Sequence, residues 1–247
     1  IMKVVCIIPS RYQSSRFEGK PLADLCGKPM IQHVYERVLT SKSVTLAAVA
    51  TDDERIAAAV AGFGGRAIMT SSSHRSGTDR LAEAAGILGL EDQDIVVNIQ
   101  GDQPIFESVQ IDEVVRPLIE DPAVPMSTLI YKIIREEEIH HPNAVKVVFD
   151  KNLFAVYFSR ATIPYVRDAG QEVSYYKHHG IYAYRKSFLD VFTKLPEGKL
   201  EKLEALEQLR ALENGYRIKL AITSYDSVEV DTPAELERVK SIITGRI

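Results

Sequence analysis

Residues 3–22 read KVVCIIPSRYQSSRFEGKPL, and this stretch joins a hydrophobic run directly to a polar, basic loop. The segment KVVCII at 3–8 predicts a buried β-strand, because it is a nearly continuous apolar run rich in Val and Ile. Serine, glycine and basic residues follow at once, among them Arg11, Gly19 and Lys20. The pattern predicts a core strand whose carboxyl end carries a loop suited to binding an anion.

Strand-like and helix-like segments alternate through the rest of the first half. Segments typical of buried strands lie at 44–50, 66–70 and 94–100, and segments with helical periodicity lie at 30–40, 52–64, 76–89 and 108–120. Val- and Ile-rich strands with helices between them predict a mostly parallel sheet covered on both faces. Right-handed crossovers would wind it into a doubly wound α/β fold.

The second half contains more predicted strands. Residues 126–185 are predicted as a β-rich insertion, placed to form a substrate lid or a dimer interface, within a single α/β domain of residues 1–247. The sequence further predicts strands at 126–134 and 145–160 with a hairpin at 150–152, a strand at 180–185, one helix over 199–214, a strand at 217–224 and a last helix at 233–243. Asp231 or Thr232 is expected to cap that last helix.

Composition indicates an ordinary globular protein. The 247 residues are 45% hydrophobic and 26% charged, and the net charge of −4 disfavours a broad nucleic-acid footprint. No apolar run approaches the ~20 residues of a membrane span, so we expect no membrane insertion. Cys6 and Cys26 form no spaced pair, which indicates a protein without disulfides in a reducing cytoplasm.

The loop after the first strand predicts phosphate binding. Ligands of open α/β sheets bind outside the carboxyl ends of the strands, and this loop borders that edge. Its serines and glycine can cradle phosphate oxygens, while its cations offset their charge; these residues are Ser10, Arg11, Ser14, Ser15, Arg16, Gly19 and Lys20. The spacing matches neither the Walker A loop nor the G-x-G-x-x-G fingerprint. A solvated basic loop without a ligand is the alternative.

Two aspartates predict a metal site beside this loop. Asp102 follows the strand of DIVVNIQGDQP, and Asp231 follows the short β-like stretch at 228–230 in SVEVDTP. Mg²⁺ is commonly held by one or two carboxylates together with water and substrate phosphate oxygens. The alternatives are a turn residue for Asp102 and a helix N-cap for Asp231. The combination of the basic loop with both aspartates predicts a metal–nucleotide site.

Segments spread over the whole chain resemble the nucleotide-sugar cytidylyltransferase family, most closely its branch that activates 3-deoxy-manno-octulosonate (KDO). Those that carry the resemblance include IIPSRYQSSRFEGKPL (7–22), HRSGTDRLAE (74–83), VNIQGDQP (97–104), YFSRATIPY (157–165), HHGIYAYR (178–185), LEQLRALENG (206–215) and VDTPAELERV (230–239). The first loop is shared with many sugar-nucleotide transferases. YFSRATIP, HGIYAYR and LEQLR separate the KDO enzymes from the sialic-acid and methylerythritol cytidylyltransferases.

The resemblance implies a doubly wound domain with a smaller β-rich dimerisation region, and a homodimer. It implies that CTP and KDO give CMP-KDO and pyrophosphate with Mg²⁺, on the pathway to lipopolysaccharide. The chain departs from the family pattern at four positions. Ser10 stands where Ala is usual, Glu18 where Pro is usual, Gln103 where Glu is common, and His179 where an apolar residue is usual.

The resemblance also implies roles for single residues. Catalysis is expected from Arg11, Lys20, Asp102 and Asp231, the two aspartates being the Mg²⁺ ligands. Nucleotide contacts are expected from Pro9, Ser10, Arg11, Ser14, Lys20, Ser76, Gly77, Thr78, Arg80 and Gln100, and sugar contacts from Gln100, Arg160, His178, Tyr182, Glu207 and Gln208. Plainer alternatives are a helix cap with a surface arginine for 76–80, a core residue for Tyr182 and a solvated carboxylate for Glu207.

Three other functions remain open. A CMP-sialic acid synthetase and a UTP-dependent pyrophosphorylase would use the same loop with another sugar or nucleotide. A non-catalytic nucleotide-binding regulator would share the fold, but the presence of Lys20, Asp102 and Asp231 disfavours it, because a pure binder would not need two metal carboxylates.

Overall fold

The structure, a computed structural model, describes residues 2–13, 17–168 and 170–245, and these contain eleven strands. They are β1 (Val4–Ser10), β2 (Asp24–Leu25), β3 (Lys28–Pro29), β4 (Leu46–Thr51), β5 (Ala67–Met69), β6 (Ile95–Asn98), β7 (Met126–Lys132), β8 (Lys146–Phe149), β9 (Ala155–Ser159), β10 (Tyr176–Arg185) and β11 (Ile218–Thr223). Nine of them form one mixed sheet with the order β11-β7-β10-β6-β1-β4-β5, to which β8 and β9 are added beside β10. Strands β2 and β3 form a separate small ribbon.

Helices cover both faces of the sheet. They are α1 (Met30–Val38), α2 (Glu54–Gly62), α3 (Gly77–Ile87), α4 (Val109–Glu120), α5 (Glu136–His140), α6 (Lys186–Phe192), α7 (Lys199–Glu204), α8 (Leu209–Glu213) and α9 (Pro233–Ile243), and a short 3-10 helix spans Lys20–Leu22. Two large apolar clusters lie one on each face, which is the pattern expected of a doubly wound sheet. No helix in the described ranges is long and apolar enough to cross a bilayer.

Strand β1 lies at the centre of the parallel part of the sheet. It pairs in parallel with β4 on one side and with β6 on the other, and all seven of its residues are buried. The predicted mostly parallel sheet is therefore confirmed. Because β1 and β6 run side by side in the same direction, the loops that follow Ser10 and Asn98 leave the sheet at the same edge.

The segment 126–185, predicted as a β-rich insertion, contributes four strands to the same sheet. Strand β10 is antiparallel to both β6 and β7 and lies between them, so it is part of the central sheet. Strands β8 and β9 form the hairpin predicted at 150–152. A register shift between His179 and Tyr182 interrupts the pairing of β10 with β7. The role of the segment as a lid or dimer interface stays a prediction.

The prediction of a single helix over 199–214 is wrong, because two helices, α7 and α8, occupy this range. Ala205 has a left-handed backbone conformation (φ 51°) and ends α7. The guanidinium of Arg210 then donates to both carboxylate oxygens of Glu201, at 2.9 and 2.5 Å. In an unbroken helix these residues would lie about 13 Å apart along the axis. Glu213 of α8 also accepts hydrogen bonds from the backbone N–H groups of Leu200 and Glu201. These tertiary contacts favour the break over helix continuation.

Candidate active site

A cleft of about 360 Å³ opens at the carboxyl edge of the sheet, where the loops after β1 and β6 meet. It is lined by Pro9, Ser10, Arg11, Gln13, Lys20, Pro21, Gly77, Gln100, Gly101, Asp102 and Asp231. Most of the residues predicted to bind the nucleotide, and both predicted metal ligands, are therefore brought to one place from four distant parts of the chain. We call this space the active-site cleft.

Lys20, Asp102 and Asp231 form the charged centre of the active-site cleft. The Lys20 Nζ lies 2.6 Å from Asp102 Oδ2 and 3.3 Å from Asp231 Oδ1. The lysine is only 8% exposed, whereas about a third of each aspartate side chain faces solvent. One buried ammonium thus bridges two carboxylates that would otherwise repel each other at this distance.

Local structure explains how these three side chains reach the cleft. Gly19, with φ 69°, makes the left-handed turn that begins the Lys20–Leu22 helix, and its N–H donates to the carbonyl of Tyr12. A side chain at Gly101 would meet Ser10 Oγ at 3.1 Å and the Pro9 carbonyl at 3.2 Å, so a glycine lets the two loops approach closely. The helix cap of α9 is Thr232, whose hydroxyl accepts from the N–H of Glu235. The alternative that Asp231 is that cap is therefore wrong.

The residues at the centre of the active-site cleft fit a magnesium ion. Asp102 and Asp231 supply hard carboxylate oxygens that are partly open to solvent, and Mg²⁺ is commonly bound by one or two carboxylates plus phosphate oxygens and water. Within the described residues, no group of three or more His, Cys, Asp or Glu side chains forms a complete protein cage for a metal. Two carboxylates beside the loop predicted to bind phosphate match a metal whose remaining ligands come from the substrate.

Glu229 is a third carboxylate near this centre, although it does not line the active-site cleft, and the sequence analysis did not single it out. Partial desolvation by the surrounding protein, together with the negative charges of Asp102 and Asp231, raises the pKa of Glu229, although Lys20 opposes the shift and the residue is exposed. The alternation of VEVD was an available signal, because residues two apart on an extended stretch point to the same side.

The phosphate loop is described at residues 9–13 and from 17 onward, so the expected contact from Ser14 lies outside the described residues. Arg11 is exposed and donates from Nη2 to the carbonyl of His74 at 2.8 Å, which ties the loop to the segment before α3. The hydroxyl of Ser10 is buried, and its oxygen has no hydrogen-bond partner in the described part of the chain. Glu18 is exposed, and its negative charge contributes to raising the pKa of Arg55.

The start of α3 contributes one wall of the active-site cleft. Ser76 caps the helix with Asp79, and Gly77 brings the helix within contact distance of Pro9 and Gln100. Thr78 and Arg80 are both buried. The guanidinium of Arg80 donates to Thr70 Oγ1 at 2.5 Å and lies 3.2 Å from Asp52, so Arg80 is a core residue. The helix-cap alternative is confirmed for Ser76, but Arg80 is no surface arginine.

The predicted sugar residues converge next to this wall. His178 and Tyr182 of β10 lie with their ring centroids 5.2 Å apart. Glu207, in the break between α7 and α8, accepts a 2.5 Å hydrogen bond from the hydroxyl of Thr78. Burial raises the pKa of Glu207, and burial with the nearby Glu207 charge raises that of Tyr182, whose hydroxyl therefore stays protonated at neutral pH. Gln100 lies two residues after Asn98, the β6 partner of Tyr182.

Hydrogen bonding assigns a tautomer to His178. The hydroxyl of Thr128 has one proton, which it donates to the carbonyl oxygen of Ile181 at 2.8 Å. His178 Nε2, 3.0 Å from the same hydroxyl oxygen, must then donate. The neutral ring therefore keeps Nδ1 as an acceptor, which suits a sugar hydroxyl.

Arg160 and Gln208 complete the predicted sugar residues. Arg160 donates to the carbonyls of Glu204, Ala205 and Pro142, at 2.6, 3.3 and 3.1 Å. Three of its five N–H groups are used in this way, so two remain for a ligand. Gln208 is buried, and its Nε2 has no hydrogen-bond partner among the described residues. Arg160 therefore contacts the end of α7 at the helix break, and Gln208 lies at the start of α8.

Acid stability provides a test of the half-buried His178. Burial lowers the pKa of His178 from 6.5 to about 3, so the unfolded chain binds one more proton than the folded chain between these values. Above pH 6.5 this residue therefore does not lower the free energy of unfolding. As the pH falls from 6.5 toward 3, its protonation in the unfolded chain lowers that free energy with a slope of up to about 1.4 kcal/mol per pH unit. We expect His178→Gln to flatten this decline in urea unfolding measured from pH 7 downward without ligands. His140→Gln, at an exposed histidine, serves as the control. If the free energy of unfolding depended on pH equally in both variants, the lowered pKa of His178 would be contradicted.

Comparison with known proteins shows similarity over nearly the whole chain. The family model described as Cytidylyltransferase matches residues 5–219. The 3-deoxy-manno-octulosonate cytidylyltransferase of Syntrophus aciditrophicus (strain SB) is 72% identical over 244 residues, which are 99% of this chain and 98% of the relative. The 8-amino-3,8-dideoxy-manno-octulosonate cytidylyltransferase of Shewanella sp. (strain ANA-3) is 52% identical over 96% of this chain and 97% of the relative. A solved structure of CMP:2-keto-3-deoxy-manno-octonic acid synthetase complexed with CTP is similar with a TM-score of 0.93 at 45% identity, covering 99% of this chain and 100% of the other.

Proposed function

This chain belongs to the cytidylyltransferase family, and on that premise we propose that it transfers CMP from CTP to KDO and releases pyrophosphate. The observation that carries the proposal is the meeting of Lys20, Asp102 and Asp231 in one cleft at the carboxyl edge of the sheet. A basic group and two carboxylates at this edge suit a metal-bound triphosphate. KDO is preferred over its 8-amino analogue, because the KDO-named relative is 72% identical and the 8-amino-named one is 52% identical.

The proposed reaction is a displacement at the α-phosphorus. The oxygen of the KDO anomeric hydroxyl forms a bond to the α-phosphorus, the bond from that phosphorus to the oxygen bridging the β-phosphate breaks, and pyrophosphate leaves with that electron pair. The hydroxyl proton passes to the surrounding solvent. Lys20 and Arg11 stabilise the negative charge that develops on the phosphate oxygens, and the residues lining the cleft orient the two substrates.

Magnesium is the proposed cofactor, held by Asp102 and Asp231. When bound, it would polarise the α-phosphate and neutralise part of its charge. The same two carboxylates accept the ammonium of Lys20 in the structure described above. We propose that Lys20 keeps the two aspartates together until the metal and the triphosphate arrive, since an ammonium neutralises their mutual repulsion.

The remaining predicted residues divide between two subsites. For the nucleotide we propose contacts from the β1 loop and from the start of α3, through Pro9, Ser10, Arg11, Ser14, Ser76, Gly77 and Gln100, with Thr78 and Arg80 supporting them from the core. For the sugar we propose His178, Tyr182, Glu207 and Gln208 as partners of the hydroxyl groups, with Gln100 between the two subsites. The unpaired Gln208 Nε2 and the Nδ1 of His178 offer one donor and one acceptor.

The direct test measures pyrophosphate release for CTP, UTP, ATP and GTP, each with KDO, 8-amino-KDO, sialic acid or a sugar phosphate. We expect release with CTP that depends on KDO. A preference for UTP with a sugar phosphate would identify a pyrophosphorylase, and a preference for sialic acid would identify the other synthetase. Tight CTP binding without turnover of any sugar acid would support the non-catalytic regulator.

Arg160 is proposed to bind the carboxylate of the sugar acid through the two N–H groups that its backbone contacts leave available. A hydrogen bond to a charged group contributes about 1.5–3 kcal/mol, so Arg160→Ala should raise the KM for KDO roughly 10- to 100-fold. The KM for CTP should change less than about threefold, because that substrate does not contact Arg160. Arg160→Lys is the matched variant that keeps the charge and loses the planar fork. Equal increases of both KM values would contradict the carboxylate contact.

We also propose that the protein is a cytoplasmic homodimer. Exposed apolar side chains on the segment 126–185, namely Ile134, Val156 and Tyr165, support an interface there. The unpaired Cys6 and Cys26 agree with a reducing compartment. Light scattering after gel filtration should give twice the mass of one chain, and Val156→Glu should shift it toward the mass of one chain.

A further inference from the structure

The connection between β11 and α9, residues 224–231, carries Asp231 at its end, and we call it the 224–231 loop. Two backbone contacts hold it against the segment after β6, which carries Asp102. The N–H of Val230 donates to the carbonyl of Asp102 at 2.8 Å, and Val228 forms a β-bridge with Ile105. The distance between the two proposed metal ligands therefore depends on how the 224–231 loop is anchored.

Asp226 anchors the middle of this loop through its side chain. Its Oδ2 lies 2.9 Å from Lys177 Nζ, its Oδ1 lies 3.2 Å from His179 Nε2, and Arg135 is 3.7 Å away. Lys177 and His179 belong to β10 and are 8% and 4% exposed, so the carboxylate is tied to the rigid sheet. Burial alone would raise the pKa of Asp226, but the contacts with His179 and Lys177 lower it far below its usual value.

Two fully buried amides hold the residues on either side of Asp226. Gln110 of α4 donates from Nε2 to the carbonyl of Tyr225 at 3.1 Å and lies 3.4 Å from His179 Nδ1. Gln103 donates from Nε2 to the hydroxyl of Ser227 at 3.0 Å. Gln110 and Gln103 therefore contact the same short stretch, 225–227, that carries Asp226.

We propose that Asp226, through Lys177 and His179, is a positioning residue that holds the 224–231 loop so that Asp231 faces Asp102 before the metal binds. The inference rests on the proposed function, because it assigns the two aspartates to the metal. Each loop residue that must be ordered on binding costs backbone conformational entropy. If the loop is already anchored, metal binding does not have to supply this entropy. Substituting residues that orient the ligands of a metal typically lowers the affinity for that metal 10- to 100-fold.

The test is Asp226→Asn, which keeps the shape of the side chain and removes its charge. We expect the Mg²⁺ concentration for half-maximal turnover to rise about tenfold, with kcat at saturating Mg²⁺ and the KM for CTP within about threefold of the wild type. Without substrates, hydrogen exchange of the 224–231 amides should become faster in the metal-free protein. The shift of the melting temperature on adding Mg²⁺ and CTP should need correspondingly more Mg²⁺.

Asp150→Asn is the matched control, because Asp150 pairs with Arg217 at 3.0 Å on the distant β8–β9 hairpin. An unchanged Mg²⁺ requirement in Asp226→Asn, with or without a lower melting temperature, would overturn the proposal and leave the cluster a structural one. If that variant does not fold, His179→Gln and Gln103→Ala remove single anchors and should show smaller increases in the same direction. A wild-type protein that turns over CTP without Mg²⁺ would contradict the proposed metal site itself, which separates the two failures.

Discussion

Replacing Asp102 or Asp231 with asparagine should lower kcat for pyrophosphate release from CTP and KDO by at least about a hundredfold. A neutral amide is a weaker ligand for Mg²⁺, and the metal contributes several kcal/mol of charge stabilisation, at about 1.4 kcal/mol for each factor of ten. The substitution preserves the size of the side chain. In either variant the ammonium of Lys20 keeps one of its two carboxylate partners, so the loss of activity should exceed the loss of stability.

The measurement is kcat over a wide range of Mg²⁺ concentrations, with Asp150→Asn as the control. Asp102→Asn also leaves its backbone carbonyl free to accept from Val230, so the 224–231 loop should keep its place. Near-wild-type turnover in either variant would remove that residue from the metal site. A loss in Asp102→Asn alone would leave Asp102 in the metal site and remove Asp231 from it.

Replacing Lys20 with methionine should lower kcat roughly 100- to 1,000-fold, which is the cost typical of removing one preorganised donor from a developing negative charge. Methionine keeps much of the length and apolar stem of lysine at a position that is 8% exposed. The structure adds a second expectation. Without the ammonium, Asp102 and Asp231 lose the cation that they share, so the metal-free variant should be less stable than the wild type.

Mg²⁺ separates these two effects of Lys20→Met. The metal can replace the missing positive charge between the aspartates, so it should raise the melting temperature of the variant more than that of the wild type. It cannot replace the contact with the phosphates, so kcat should stay low at every Mg²⁺ concentration. Lys28→Met is the control, because Lys28 forms an exposed ion pair with Glu36. Recovery of full turnover at high Mg²⁺ would mean that Lys20 only balances charge.

The sheet was largely predictable, because its central strands have a local signal. Strands β1, β4 and β6 are continuous apolar runs, and such runs are typical of strands buried on both faces. Strand β10 was predicted from residue 180 onward but begins at Tyr176. Its first residues, YKHH, have no hydrophobic alternation, and they are extended because β7 and β8 pair with them. The short helices α5 and α6 were not predicted.

The candidate site was predictable in its residue types but not in its contacts. The order of apolar strand followed by basic loop or aspartate predicted Lys20 and Asp102 at one edge, because the carboxyl ends of the parallel strands β1 and β6 share an edge. The β-like stretch predicted at 228–230 forms only an isolated bridge with Ile105, so Asp231 reaches that edge from a loop and not from the end of a strand. Contacts such as those of Asp226 with Lys177 and of Thr78 with Glu207 join residues 49 and 129 positions apart. No periodicity or motif relates such pairs, so they could not be predicted.

The amino-acid sequence alone therefore determined the α/β architecture, the edge of the sheet that carries the chemistry, and the residue types gathered there. These follow from local hydrophobic patterns and from the direction of the strands. Only the tertiary structure decided that Lys20 bridges both aspartates, that a left-handed Ala205 breaks one predicted helix in two, and that the 224–231 loop is anchored to β10. These depend on side chains from distant segments competing for the same space and the same hydrogen bonds, which no local stretch of chain encodes.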